Sequence, residues 1–97
     1  MTAERRWALI LGASSGFGAA TARRLASEGW SILGVHLDRR STMPNVEALI
    51  ADLKSTGQSV VFFNGNAADD GFRTETIDAI TEVLRDQGGR IALMMHS

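Results

Sequence analysis

Apolar residues in this chain gather alternately in short runs and in stripes. Trp7-Ala8-Leu9-Ile10-Leu11 is a continuous apolar run ending in Gly12, the pattern of a strand buried on both faces of a parallel sheet. From Gly18 to Gly29 the small or apolar positions Gly18, Ala22, Leu25 and Ala26 recur at helical spacing, and Gly29 suits the C-terminal cap. Ser31 to Leu37 returns to an apolar, branched run of strand length. After Pro44, the residues Val46, Leu49, Ile50 and Leu53 fall at i, i+3, i+4 and i+7, one stripe on a second helix that Gly57 closes. Val60-Val61-Phe62-Phe63 predicts a third strand. Ile77, Ile80, Val83 and Leu84 put a stripe on a third helix, capped by Asp69 or Asp70 and ending at Gly88-Gly89. Ile91 to Met95 predicts a fourth strand.

The order βαβαβαβ implies an α/β fold with a parallel sheet and right-handed crossovers. The turn between the first strand and the first helix narrows this further. Gly12-Ala13-Ser14-Ser15-Gly16-Phe17-Gly18 is a G-x-x-x-G-x-G arrangement in the setting a phosphate-binding turn requires. Gly12 permits a sharp exit from the strand, Gly16 lets backbone approach a pyrophosphate, and Gly18 lets the helix sit close on the sheet. The N–H groups at the helix start, around Ser14, Ser15, Gly16 and Phe17, supply the anion site. Such a fingerprint selects a Rossmann-type doubly wound sheet with strand order 3-2-1-4. In that order the first two helices share one face and the third lies alone on the other, which leaves that face under-covered. The chain reads as one dinucleotide-binding domain over residues 1–97, with no internal repeat, linker or low-complexity segment.

Residues that would distinguish the cofactors follow the second strand. Asp38 lies twenty residues beyond Gly18, about where an acid hydrogen-bonds the adenosine ribose and favours NAD(H). Arg39-Arg40-Ser41 follow at once, and two guanidinium groups with a hydroxyl suit the extra phosphate of NADP(H). The two readings compete, with a third in which all three charged residues are a solvated loop before Pro44.

The spacing and the Ala-Ser-Ser-Gly-Phe-Gly wording of the loop closely resemble the cofactor loop of classical short-chain dehydrogenases/reductases. The resemblance covers the whole chain, although that family's usual length is more than twice as great. The family commonly has threonine where this chain has Leu11, which marks a divergent branch. Counted from Gly29, the family's NAD-selecting acid falls at His36, two positions before Asp38, and this tilts the expectation to NADP(H) over NAD(H). After the third strand the family usually places an Asp and a small apolar residue against adenine; Asn66-Ala67 stands there, able to accept from the adenine amino group or to make an Asx turn. The fourth strand ends Met95-His96-Ser97, similar to the enoyl-acyl-carrier-protein reductase branch, and the resemblance places His96 beside the nicotinamide ribose.

The family's chemistry relies on a Tyr-x-x-x-Lys pair. This chain has no tyrosine, and its single lysine, Lys54, falls on the polar side of the second helix, so no catalytic residue is assigned within it. Two histidines sixty residues apart offer no metal site, the absence of cysteine removes disulfides and thiolate zinc, and no Gly-x-Ser-x-Gly elbow occurs. A formal net charge of −1 gives no reason to expect nucleic acid as a partner, and no stretch reaches membrane-spanning length. Arg5-Arg6 before an apolar run imitates a secretory signal, but the run is only five residues; the expectation is a cytoplasmic protein. The resemblance thus implies the N-terminal half of an NAD(P)-dependent oxidoreductase acting on a carbonyl or enoyl substrate. Its parent would be a homo-oligomer, and the isolated chain would be inactive and self-associating. A stand-alone dinucleotide-binding or sensor module is the alternative.

Overall fold

The structure, a computed structural model, describes residues 4–97. Four parallel strands, β1 (Arg6–Leu11), β2 (Ser31–His36), β3 (Val60–Asn64) and β4 (Arg90–His96), alternate with three helices, α1 (Gly16–Ser27), α2 (Met43–Lys54) and α3 (Asp70–Gln87). The strand order is β3-β2-β1-β4, the Rossmann-type arrangement expected from the glycine turn. β1 is central because a continuous apolar run can be buried on both faces; Trp7, Ala8 and Ile10 are fully buried.

Side chains alternate across the pleat, so each face receives its own set. Ala8, Ile10 and Ile32 meet Ala22 and Ala26 of α1 and Leu49 and Leu53 of α2 in the larger core. Small residues on α1 let that helix approach the sheet closely. Trp7 and Leu33 face the other way and meet Ile80 of α3, with Val83 and Leu84 beside them. The Trp7 indole N–H donates to the Gly88 carbonyl at 2.9 Å, which fixes the end of α3 against the start of β1.

Several boundaries differ from the sequence pattern for identifiable reasons. α1 begins at Gly16 rather than Gly18 because Ser15 caps it, its hydroxyl accepting from the Gly18 N–H. Of the two candidate caps for α3, Asp69 is the one used, accepting from the Phe72 N–H at 2.8 Å. β2 stops at His36, where β3 offers its last partner, Asn64, and Leu37 is left exposed rather than continuing the strand. β1 and β4 each gain a residue at their N-terminal ends, Arg6 and Arg90, which pair with one another.

Candidate functional site

The loop after β1 is shaped by two glycines. Gly12 has φ of +84°, which turns the chain off the strand, and its N–H and that of Ala13 both donate to the Val35 carbonyl of β2. Gly18 approaches the loop backbone so closely that a Cβ there would lie 2.1 Å from the Gly12 carbonyl oxygen. A Cβ on Gly16 would meet nothing within 4 Å, so the outer side of the turn is open. Ser15 is spent on the loop itself: its hydroxyl donates to the Gly12 carbonyl and accepts from the Gly18 N–H. The N–H groups of Gly16 and Phe17 have no partner among the described residues. They form the anion-seeking end of α1, and the exposed Phe17 ring stands beside them.

Asp38 reaches this loop from the end of β2. Its Oδ1 accepts from the Ser14 hydroxyl and from His36 Nδ1, the latter at 3.0 Å. Its side chain is only 14% exposed. The Ser14 hydrogen bond, helped by Thr42 and His36, holds the carboxyl below its ordinary pKa against the opposing effect of burial. Asp38 is therefore ionised at neutral pH, and the bond to it requires His36 to carry its proton on Nδ1. His36 is buried and tilts against the Phe62 ring.

Asn64 spans the gap from β3, its Oδ1 accepting the Asp38 N–H at 3.0 Å and its Nδ2 donating to the Asp38 carbonyl at 3.2 Å. Arg39 and Arg40 follow on the surface, exposed and without an ion-pair partner among the described residues. Their carbonyls accept from Thr42 and Met43 in the turn that enters α2.

The remaining candidates lie at the same end of the sheet. Asn66 accepts from the Ala68 N–H at 2.9 Å, the Asx turn foreseen as its simpler role. Ala67 borders a groove on the α3 face, shared with Leu11 and Val35. His96 closes β4 opposite Leu11 and is exposed. Asn64 and Thr42 do not stand out in the sequence, although the polar residue that ends the apolar run of β3 is a signal. Ser97 also acts at the loop, with no signal for this in the sequence: its N–H donates to the Leu11 carbonyl at 2.8 Å, and its hydroxyl lies 3.0 Å from that of Ser15. Among the described residues no cluster of His, Asp and Glu suits a metal ion, and no helix is long and apolar enough to cross a membrane.

Comparison with known proteins agrees with this geometry. The short chain dehydrogenase family model matches residues 6–97. A serine 3-dehydrogenase from Agrobacterium fabrum is 37% identical over 78 residues, which cover 80% of this chain and 28% of that protein. A short-chain dehydrogenase/reductase structure from Sinorhizobium meliloti superposes with a TM-score of 0.79 at 28% identity, covering 97% of this chain and 40% of the other. An NAD+-bound xylitol dehydrogenase gives 0.74 at 26% identity, covering 92% and 31%. The chain thus spans less than half the length of each of these proteins. The family model matches nearly the whole of it, and the chain belongs to the short-chain dehydrogenase/reductase family.

Proposed function

We propose that residues 1–97 are the nicotinamide-dinucleotide-binding half of an oxidoreductase, with NADP(H) preferred to NAD(H). The observation that carries this is the turn before α1. Two N–H groups without a partner among the described residues, on Gly16 and Phe17, stand at a helix start beside space that the glycine at position 16 keeps open. The residues fit a pyrophosphate there: Gly16 leaves room for it, and the backbone rather than the already committed Ser15 hydroxyl supplies the donors. Beside the loop, the exposed Arg39 and Arg40 suit a 2′-phosphate, while Asp38 is turned inward to Ser14. Ala67 and His96 border the same end of the sheet, toward the adenine and nicotinamide sides respectively.

When bound, the cofactor supplies a hydride donor or acceptor for a carbonyl or enoyl substrate. The chain's own residues bind and orient it. With no tyrosine present and the only lysine exposed on α2, proton transfer to substrate is assigned to residues outside these 97.

Calorimetric titration tests the reading. The chain should bind NADPH more tightly than NADH, and Gly16→Val should abolish both while helix content is retained, because a branched side chain fills the phosphate space. Changing Arg39 and Arg40 together to Ala should cost NADPH about 1 to 3 kcal/mol more than NADH. Unchanged affinity in folded Gly16→Val would refute the site, and equal losses in the arginine variant would refute the preference.

A further inference from the structure

An acid at the end of the second strand ordinarily faces the bound ribose, yet Asp38 stands two positions beyond that place and the chain brings it back to the glycine loop. We infer that Asp38 is a positioning residue for the phosphate-binding turn, held by His36 and Asn64 and acting on the cofactor through Ser14 rather than by touching it. This rests on the cofactor site proposed above and assigns Asp38 a different role from the ribose reader that its sequence position first suggested.

Three sets of contacts carry the inference. The Asp38 backbone is gripped on both sides by one side chain, Asn64, through its N–H and its carbonyl, so the residue's place at the end of β2 is set from β3. On the side-chain end, the buried His36 imidazole donates to the same oxygen that Ser14 binds. A carboxylate that is mostly buried and already accepts two such donors has less to offer a ribose diol than an outward-facing one.

Ser14 has one hydroxyl proton, and it goes to Asp38. Ser15 gives its own to Gly12. Both loop serines therefore serve the conformation of the turn, which leaves the Gly16 and Phe17 amides to meet the anion. The brace connects β1, β2 and β3 at their C-terminal ends: Val35 accepts from the loop at Gly12 and Ala13, Asp38 accepts from it at Ser14, and Asn64 ties Asp38 to the third strand.

The role separates cleanly from that of a ribose reader. A reader distinguishes the two cofactors, so its loss changes the ratio of their affinities; a residue ordering the turn serves the pyrophosphate common to both. Asp38→Ala and Ser14→Ala should each weaken NADH and NADPH by one common factor, about tenfold. The double variant should be no worse than either single one, and Asp38→Asn, which still accepts from Ser14, should restore most of the affinity. Asn64→Ala should act in the same direction by a smaller factor. A change in the NADH to NADPH ratio in Asp38→Ala, or additive losses in the double variant, would overturn the inference.

Amide hydrogen exchange on the cofactor-free chain provides the independent arm. In Asp38→Ala, exchange should accelerate at residues 12–18 while β2 and α3 keep their protection. Unchanged exchange in the loop would overturn the positioning role, and a rise across the whole chain would reduce it to general stability. If the unaltered chain binds neither cofactor, the proposed function fails by itself, and the exchange result still decides what Asp38 does to the turn.

Discussion

On the α1 and α2 face of the sheet, Ala8, Ile10 and Ile32 are sealed from water beneath two helices, while across the same sheet Leu9 and Leu11 border an open groove of about 420 Å³. Both faces are apolar, so composition alone does not separate them. The difference is topological. Moving out from β1 through β2 to β3 places two crossovers on one side, and the single return to β4 leaves α3 to cover the other. α3 closes its face well only near the starts of the strands, where Trp7 packs on Ile80 and bonds to Gly88. Toward the strand ends, Ile77 is 62% exposed and Met94 69%. The glycine turn sits at the boundary, its outer side open and its inner side fixed by backbone contacts.

The largest test of this comparison is at the point where the well-covered face meets the turn. In Gly18→Val the Cβ would overlap the Gly12 carbonyl, which is backbone and cannot rotate aside, so α1 must lift from the sheet. A loss of about 4 kcal/mol or more is expected, an exceptional value for one residue. Denaturant unfolding followed by circular dichroism would show it as a midpoint shift at constant slope. A variant as stable as the parent would mean that α1 does not depend on this approach.

Next in size is the covered face itself. Ile10→Ala removes a side chain with no exposure between two helices and should cost about 2 to 5 kcal/mol. The same truncation at Ile77, on the open face, should stay within about 0.5 kcal/mol. Similar costs at both positions would erase the distinction between the faces.

The elements of this fold were legible in the sequence because each depends on local periodicity. Apolar runs gave the strands and i, i+3, i+4 stripes gave the helices, so even the strand order followed once the glycine turn was recognised. Ends were less legible. Ser15 advances α1 by two residues with one hydroxyl, and Leu37 reads as strand although β3 has run out of partners beside it. The contacts of Asp38 were the least legible. Ser14 is 24 residues away and Asn64 is 26 away, and it takes two parallel registers, Leu11 opposite Val35 and His36 opposite Asn64, to bring them together. Position in the chain proposed Asp38 as a cofactor contact; the fold turns its carboxylate to Ser14.

The smallest effect on folding should accompany the largest effect on association, and it belongs to the open side. Among the described residues β4 pairs only with β1, so its other edge presents backbone N–H and C=O groups to any extended chain. Beside that edge, Ile77, Ile91 and Met94 add exposed apolar surface, and surface of this kind favours association. The 97-residue chain should therefore sediment as more than a monomer at micromolar concentration. Ile77→Lys combined with Met94→Lys places two charges where water already reaches, so stability should change by no more than about 0.5 kcal/mol. The same variant should shift sedimentation toward the monomer, most clearly at low salt, where like charges on approaching copies repel over about a Debye length. Association unchanged by the two lysines would assign it to the strand edge alone, and a loss of stability as large as that of Ile10→Ala would show that this face is packed rather than open.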